Sequence, residues 1–464
     1  MNLFNKTRGL SDRLVGRARR ARLERRERPF DAMQHYTTVG KYLVGASENT
    51  PKGQDYTLTV YEDQDGVLRQ ALSPVETTDL APTYIRKFDK RLGRFRAFQN
   101  TQTGERYMVH DDLDAFAARV KRHERAGKGS FNIGILTDTH YKDADAIDYY
   151  GHNGLIHVKE FNYLENSGLL DFKAHLGDWI DGSDAGLVSE AELMRLRDAF
   201  KSKKTPFAII KGNHDENDKF DEHHDLSASF PENEFEDIMW PTFYDQPQIH
   251  YVTRQHGVGY CDLDNLRLVF VNTSDVPYLL DASGKKKYDA KLTLAVREDQ
   301  MEELIEILSQ SSNKQLIFMS HGNPINRKGG NALKYNGRSL HELLVAFNQR
   351  EKGYLHSRNV PPEFELNNDF DFTGIKNARI LAYFCGHRHV EDQYRINGIQ
   401  YVLFNCSALM GPNHALTTAF NKQLDRRIDH ESEFAGYVVN VDLKLHLLQV
   451  FGYGAASFRR IFAV

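Results

Sequence analysis

The chain has 464 residues, of which 40% are hydrophobic and 27% are charged, and its formal net charge is −4. This length exceeds what one hydrophobic core usually supports, so we expect more than one folding unit. The overall charge is near neutral, so it does not point to nucleic acid or a membrane surface as a partner. The sequence has no apolar run of the roughly eighteen residues that span a membrane and no apolar segment of a secretory signal. We therefore predict a cytoplasmic protein, unless a larger particle carries it out of the cell.

The N-terminus is strongly basic. Residues 1–30 contain ten Lys and Arg but three acidic residues. Leu10 and Leu14 recur at helical spacing, and Pro29 would end a helix. We expect residues 1–34 to form a basic helical arm, which is either solvated and partly disordered or docks on a protein partner or on phosphates. Nucleic acid is the less favoured partner, because no aromatic residues alternate with the arginines.

A small β-rich unit is predicted over residues 35–129. Apolar residues alternate with threonines over residues 56–60, and the turn formers Asp65 and Gly66 follow. This pattern is typical of a β-hairpin. A helix is expected over residues 111–125. No catalytic residue stands out in this unit, so we interpret it as an attachment or oligomerisation module and leave a homo-oligomer open.

Residues 130–464 alternate apolar strands with helices, and five of the predicted strands end in a polar cluster. The clusters are Asp138-Thr139-His140, Gly177-Asp178-Trp179-Ile180-Asp181, Gly212-Asn213-His214-Asp215, Ser320-His321 and Gly386-His387-Arg388-His389. Alternating strands and helices are typical of an α/β layered domain. Because sites in such domains form outside the carboxyl ends of the strands, we expect the clusters to converge.

The last cluster contains two histidines that are two residues apart. If His387 and His389 continue the buried strand before them, their side chains point the same way and both imidazoles face one metal centre. Arg388 would then point to the other side of the strand.

The clusters together offer a mixed set of oxygen and nitrogen ligands. Its members are Asp138, His140, Asp178, Asn213, His321, His387 and His389. The set is too large for one tetrahedral zinc ion. It suits two divalent cations that share a carboxylate, hold a hydroxide and bind the oxygens of an in-line phosphoryl displacement. His214 then remains as a general acid for the leaving group, and Asp181 can orient it.

Each cluster also has a plainer structural interpretation. A single D-x-H or G-D-x-x-D is usually a turn or a helix cap, and His321 alone is more often a core histidine. Five clusters in this order, each at the end of a predicted strand, favour the metal site instead.

The ordered motifs D-x-H, G-D-x-x-D, G-N-H-D, S-H and G-H-x-H resemble those of the calcineurin-like metallophosphoesterase family. The resemblance covers about residues 130–464. It implies a four-layer fold in which two β-sheets pack face to face with helices outside. It also implies a metal-dependent phosphoesterase, and we expect a phosphodiester rather than a monoester as its substrate.

The same resemblance implies two divalent cations, which are commonly Mn, Fe, Zn or Mg in the family. The ligands of the first would be Asp138, His140, Asp178 and His389. The ligands of the second would be Asp178, Asn213, His321 and His387, with Asp178 bridging. His214 would match the catalytic histidine of the family, and Asp181 would match its hydrogen-bond partner.

Two departures from the family motifs bear on the substrate. Gly182 follows G-D-x-x-D where the protein phosphatases of the family have Arg, which argues against phosphoprotein substrates. The H-H-P of many cyclic-nucleotide phosphodiesterases appears here as His321-Gly322-Asn323-Pro324, which argues against a cyclic nucleotide.

The context of the motifs offers a narrower hypothesis. The run from Thr137 to Tyr141, the pair Tyr150-Gly151 and the insert before Gly177 are similar to phosphoesterase domains in tail or baseplate proteins of phages of Gram-positive bacteria. The basic arm and the β unit would suit attachment to a virion. The chain would then cleave or bind teichoic acid of the host cell wall. A metal-dependent nuclease is a further alternative.

Three long inserts are candidates for substrate selection. They are residues 216–257, residues 274–293 and residues 410–434. Loops of this length in a compact domain are usually either functional or disordered.

Overall fold

In this computed structural model the described residues are 33, 36–45, 55–75, 83–90, 94–95, 98–102, 106–107, 111–124, 127, 129–142, 153–218, 229–231, 233–357, 359–407, 426 and 431–464. The chain divides into two compact units, residues 1–119 and residues 120–464. The basic arm predicted over residues 1–34 lies outside the described residues, apart from Met33. The three-part division of the chain stays a prediction.

The first unit contains an antiparallel sheet. Its strands are β1 Gly40–Val44, β2 Tyr56–Glu62, β3 Leu68–Pro74, β4 Tyr84–Asp89, β5 Arg94–Phe95, β6 Phe98–Asn100 and β7 Arg106–Tyr107. Their order is β1-β2-β3-β4-β6-β7, with β5 paired to β4. β2 and β3 form the predicted hairpin. Alternate residues of β2 point into a small hydrophobic core, as is usual in an antiparallel sheet with one buried face. Helix α1, Asp111–His123, follows in the chain.

The second unit contains two larger sheets. Sheet I has the order β10-β9-β8-β20-β21-β22, with strands β8 Ser130–Leu136, β9 Phe172–His175, β10 Phe207–Ile209, β20 Ala435–Asp442, β21 Leu447–Gly454 and β22 Arg459–Ala463. Sheet II has the order β11-β12-β13-β14-β17-β19-β18, with strands β11 Ile249–His250, β12 Gly259–Leu263, β13 Leu266–Phe270, β14 Gln315–Ser320, β17 Arg379–Cys385, β18 Asp392–Ile396 and β19 Ile399–Leu403. A separate hairpin pairs β15 Lys352–His356 with β16 Asn367–Asp371.

Helices cover the outer faces of these sheets. They are α2 Asn153–Asn166, α3 Gly186–Phe200, α5 Glu298–Ser309 and α6 Gly337–Gln349, whereas α4 Glu234–Tyr244 lies at the edge between the sheets. The ring of Phe243 in α4 is 5.6 Å from that of Phe270 in β13. The apolar stripes of α5 and α6 pack on sheet II, where Leu304 and Leu343 share one core with Phe318 of β14. On sheet I, Phe161 of α2 lies so close to Gly134 of β8 that a Cβ atom there would come within 3.0 Å of the ring.

The inner faces of the two sheets pack against each other. Phe172 of β9 stacks on Phe270 of β13, with 5.5 Å between the ring centroids. At the other side, Phe404 directly after β19 meets Tyr437 of β20 at 4.9 Å. The order helix, sheet, sheet, helix confirms the four-layer α/β fold that the family motifs implied.

Of the three expected inserts, one contains regular structure and another lies mostly outside the described residues. Residues 216–257 include α4 and β11, and the buried side chains of α4 are mostly aromatic. Residues 410–434 lie mostly outside the described part of the chain. None of the helices in the described part of the chain has the length and hydrophobicity that a membrane crossing needs.

Candidate metal centre

The five polar clusters meet at one edge of the two sheets. β8, β9 and β10 are parallel neighbours in sheet I, and the first three clusters directly follow their carboxyl ends. β14 and β17 are parallel neighbours in sheet II, and the last two clusters follow them. Because the sheets pack face to face, residues from both reach the same space. Nε2 of His140 from sheet I lies 2.9 Å from Nε2 of His389 from sheet II.

One group of candidate ligands contains Asp138, His140, Asp178 and His389. Their ligand atoms all lie within 4.8 Å of one another, and all four residues are buried. Nε2 of His389 is 3.1 Å from Oδ1 of Asp138. Nε2 of His140 is 3.7 Å from Oδ2 of Asp178. Two carboxylates and two imidazoles therefore surround one point.

A second group contains Asp178, His321 and His387, and the side chain of Asn213 joins it. Oδ1 of Asn213 lies 2.9 Å from Nε2 of His321 and 3.0 Å from Nδ1 of His387. The amide nitrogen of Asn213 donates to the carbonyl oxygen of Lys291 at 2.8 Å. That bond fixes the orientation of the amide, so its oxygen faces the histidines.

Asp178 belongs to both groups. Its Oδ2 lies 3.2 Å from Nε2 of His321 and 3.7 Å from Nε2 of His140. Its Oδ1 accepts a hydrogen bond of 2.9 Å from the backbone N–H of His214. One carboxylate oxygen is thus shared between the groups, and the other is held by the main chain.

The candidate ligand atoms are suited to binding cations, because lone pairs of neighbouring side chains face one another. Nδ1 of His321 lies 2.9 Å from the carbonyl oxygen of Leu176, so a neutral ring carries its proton there. Nε2 of His321 then presents a lone pair to the side-chain oxygens of Asp178 and Asn213. Burial would lower the pKa of His321, yet the nearby carboxylate of Asp178 raises this pKa to about 9. The raised pKa reflects a demand for positive charge, which a metal ion would also satisfy.

The carboxylates of the centre stay ionised. Burial opposes the charge on Asp138 and Asp178, but the surrounding histidines lower the pKa of both carboxyls well below the usual range. Burial, together with the charge of His321, lowers the pKa of His387 to about 3. Ionised carboxylates beside a neutral imidazole are suitable ligands for divalent transition metals.

The expectation that His387 and His389 continue their strand is wrong. β17 ends at Cys385, and both histidines have a left-handed backbone, with φ of 66° and 51°. Their imidazoles therefore leave a tight turn in different directions. His389 joins the group around Asp138, whereas His387 joins the group around Asn213.

The left-handed backbone is common to most of the candidate ligands. Positive φ angles occur at Asp138 (54°), His140 (44°), Asp178 (54°), His387 (66°) and His389 (51°). Such a conformation costs a non-glycine residue about 1–3 kcal/mol and is concentrated at functional sites. The fold therefore holds these side chains against local strain.

The sequence model of the calcineurin-like phosphoesterases matches residues 131–391, which is more than half of the chain. The chain belongs to the calcineurin-like phosphoesterase family. Membership and the two ligand groups together indicate a dinuclear centre for divalent cations in this phosphoesterase.

Several solved structures are similar to this phosphoesterase. A dimetal phosphatase from Danio rerio is 12% identical, with 72% of this chain and 98% of that chain covered and a TM-score of 0.46. A purple acid phosphatase from yellow lupin (Lupinus luteus) seeds is 10% identical, with 94% of this chain and 70% of that chain covered and a TM-score of 0.40. At these identities the similarities give no information about the substrate. No curated protein matches the chain.

His214 of this phosphoesterase lies beside the first ligand group. Its ring centroid is 4.7 Å from that of His140, and its Nδ1 donates to the carbonyl oxygen of Asp181 at 2.7 Å. Nε2 is therefore the ring nitrogen left for proton transfer. Burial lowers the pKa of His214 to about 4. The carboxylate of Asp181 also lies near the ring, but the hydrogen bond to His214 comes from the Asp181 main chain.

Sequence reasoning missed Asp215, the last residue of the G-N-H-D motif. Its buried carboxylate accepts hydrogen bonds from the backbone N–H groups of Asp178 (3.1 Å), Trp179 (2.8 Å), Ile180 (3.3 Å) and Gly212 (2.7 Å). These bonds tie the turns of the second and third clusters together. The motif itself was the available signal, but spacing does not reveal that its last carboxylate turns towards the main chain.

Proposed function

We propose that this phosphoesterase hydrolyses a phosphodiester with two divalent cations (Mn, Fe, Zn or Mg), and that His214 is the general acid. The observation that carries the proposal is the pair of ligand groups that share Asp178, with His214 beside them. Asp178 would contact both cations.

The ligands divide between the two cations in this proposal. The first set is Asp138, His140, Asp178 and His389, and the second set is Asp178, Asn213, His321 and His387. When bound, the cations would polarise the phosphoryl oxygens and lower the pKa of the attacking water. The backbone N–H of His214 and the carbonyl oxygen of Lys291 hold Asp178 and Asn213 in the orientation that this requires.

The proposed task of His214 is to protonate the departing alcohol. The carbonyl oxygen of Asp181 holds Nδ1, so the opposite nitrogen faces away from that bond and can reach a leaving group. The negative charge of a bound phosphoester would stabilise the imidazolium and oppose the effect of burial. Asp181 is a positioning residue in this account.

The turn after Asp181 supports a phosphodiester over a phosphoprotein monoester. Gly182 has a φ of 74°, and a Cβ atom there would overlap the carbonyl oxygen of His214. An arginine therefore does not fit at the position where the protein phosphatases carry one. A phosphomonoester can carry two negative charges and benefits more from such a clamp than a diester with one charge.

The leaving group provides the sharpest test of the acid role. A p-nitrophenyl diester needs little protonation of its leaving oxygen, whereas an alkyl diester needs it strongly. We expect His214→Ala to reduce kcat for the alkyl diester by about 100-fold or more, and for the p-nitrophenyl diester by about tenfold or less. Rates are measured with metal-loaded protein, and elemental analysis checks that the variant keeps its metal.

His356→Ala is the matched control, because this histidine is exposed on the β15–β16 hairpin. It should leave both rates unchanged. Equal losses for the two diesters in His214→Ala would show that His214 is structural, and the acid role would then be abandoned. A p-nitrophenyl monoester hydrolysed faster than the diester would reverse the proposed substrate preference.

Two narrower versions of the proposal differ in the polymer that is cleaved. In one, the chain is part of a phage tail or baseplate, uses its N-terminal units to bind a protein partner and cleaves teichoic acid. In the other it is a nuclease, and the ten Lys and Arg of residues 1–30 bind DNA. Salt-dependent DNA binding that is lost on deletion of residues 1–29 would support the nuclease. Hydrolysis of teichoic acid but not of single-stranded DNA would support the phage version.

A further inference from the structure

A polar cleft of about 640 Å³ lies in the second unit, between the inserts 216–257 and 274–293. This volume is typical of sites for small molecules. None of the seven candidate metal ligands lines the cleft. The cleft is therefore distinct from the candidate metal centre.

The cleft is next to the metal centre along the sheet edge. Lys211 and Glu216 flank the third polar cluster, and both line the cleft. Asn272 and Ser274 follow the carboxyl end of β13, whose parallel neighbour β14 leads to His321. The cleft thus lies at the same carboxyl edge as the candidate ligands, beside the third cluster after β10 in sheet I and one strand from β14 in sheet II.

The basic side chains of the cleft are already neutralised. Each of its four Lys and Arg residues forms an ion pair, namely Lys211 with Glu236 (2.6 Å), Lys286 with Asp218 (2.6 Å), Arg297 with Asp275 (2.7 Å) and Arg254 with Asp245 (2.8 Å). An anionic ligand would have to break such pairs or approach their carboxylates. The charge distribution therefore disfavours an anionic ligand.

Three polar atoms of the cleft residues lack a hydrogen-bond partner among the described residues. They are Oγ of Ser274, Nε1 of Trp240 and Oε2 of Glu236. A buried polar group without a partner costs about 1–3 kcal/mol. All three atoms are buried, so a ligand hydroxyl would contact them only after a movement of the side chains. It could then accept from Trp240, donate to Glu236 and do either with Ser274. A phosphate offers mainly acceptors and would be repelled by Glu236.

Aromatic side chains complete the walls of the cleft. Tyr278, Tyr288 and Trp240 all line it, and Tyr278 and Tyr288 are partly exposed. Their rings offer apolar surface next to hydrogen-bonding groups. A sugar or a polyol has C–H groups for the rings and hydroxyls for the polar atoms. Both features point to the same class of ligand.

We infer that this cleft binds an uncharged polyhydroxylated group, a sugar or a polyol, that forms the alcohol part of the phosphoester substrate. The inference rests on the proposed function for its link to turnover, but the binding itself does not. The phosphorus would lie at the metal centre, and the hydroxyl-bearing part would lie between the two inserts.

Ligand binding is tested with the full chain by saturation-transfer NMR. Ribitol and 1-pentanol are the probes, because both have five carbons but differ in the number of hydroxyls. We expect ribitol to bind, 1-pentanol to give no comparable signal, and inorganic phosphate not to displace ribitol. Tyr278→Ala should weaken ribitol binding by about tenfold, which corresponds to about 1.4 kcal/mol. Tyr354→Ala is the matched control, because this tyrosine is 51% exposed on the β15–β16 hairpin.

Equal binding of 1-pentanol, displacement of ribitol by phosphate, or an equal loss in Tyr354→Ala would each overturn the inference. Turnover separates it from the proposed function. The KM for a ribitol p-nitrophenyl phosphodiester should be about tenfold below that for bis(p-nitrophenyl) phosphate, and Tyr278→Ala should remove this difference. Hydrolysis of the aryl diester without ribitol binding refutes the cleft alone. Ribitol binding without hydrolysis of any ester refutes the proposed function alone.

Discussion

The metal centre and the neighbouring cleft lie at the same edge of the two sheets, yet their charges are arranged in opposite ways. In the metal centre, Nε2 of His321 faces the oxygens of Asp178 and Asn213 at about 3 Å, so like acceptors confront each other. In the cleft, every Lys and Arg has a carboxylate partner, as Lys286 has Asp218. Unmatched acceptors attract cations, whereas matched pairs leave hydrogen bonding as the main source of selectivity. The same polar residue types therefore serve two different tasks.

The largest effect is expected from removing the charge that the two ligand groups share. Asp178→Asn replaces the shared carboxylate by a neutral amide, so both cations lose a ligand. We expect metal content to fall below one ion per chain and the rate of phosphodiester hydrolysis to fall by about 1000-fold. Elemental analysis and steady-state rates measure the two losses. Retention of two metal ions would contradict the role of Asp178 as the shared ligand.

A smaller effect is expected from breaking a charge pair of the cleft. Lys211 is buried between Glu216 and Glu236, and these carboxylates hold the pKa of Lys211 above its usual value despite burial. Lys211→Met leaves both carboxylates without their cation and should lower the free energy of unfolding by about 3–5 kcal/mol. Urea denaturation measures this value.

The double variant Lys211→Met/Glu216→Gln is the control for Lys211→Met. It removes one of the stranded charges and should recover about half of the lost stability. No recovery would mean that the methionine disturbs packing rather than charge, and the view that carboxylates hold the cations of the cleft would need revision.

The smallest effect is expected for a charge pair outside both regions. Asp262 of β12 binds Arg267 of β13 through two hydrogen bonds of 2.8 Å and 2.9 Å. Burial would raise the pKa of Asp262, but the bonds to Arg267 lower it below the usual value. Because Asp262 is half-buried and partly screened by solvent, we expect Asp262→Asn to lower the free energy of unfolding at pH 7 by about 1 kcal/mol.

The loss of stability in Asp262→Asn should depend on pH. The folded pKa of Asp262 is lower than the unfolded pKa of about 4, so the ionised carboxylate stabilises the fold above pH 4. That stabilisation is lost as the pH falls through the folded pKa. The difference between wild type and Asp262→Asn should therefore be constant from pH 7 to pH 5 and shrink below pH 4. Urea denaturation across this range measures it, and a difference that grows in acid would contradict the ion pair.

Local patterns were sufficient to predict the layered fold and the convergence of the ligands. Apolar runs mark β8, β14 and β17, and each run ends in a polar cluster, so the carboxyl ends of these strands were visible in the sequence. The hairpin of β2 and β3 was equally clear, because its turn contains Asp65 and Gly66. Long-range pairing was not needed for either prediction, since both depend on periodicity and on turn residues.

Local patterns failed where the backbone leaves regular geometry. His387 and His389 were expected to share a face of a strand, but a left-handed turn sends them to different ligand groups. Asp215 was overlooked, because its partners are main-chain N–H groups from two separate turns. Nothing in residue spacing reports φ angles of this kind or hydrogen bonds between distant turns.

By itself, the sequence determined the types of candidate ligand, their order and the strand ends on which they lie, because these properties depend on neighbouring residues. Only the tertiary structure decided which candidate ligands lie next to Asp178, how Asn213 is oriented by Lys291, and that a cleft of paired charges lies beside the centre. These features arise when two sheets pack face to face and bring residues from distant parts of the chain within a few ångströms. That proximity is a property of the packed fold and not of any single segment.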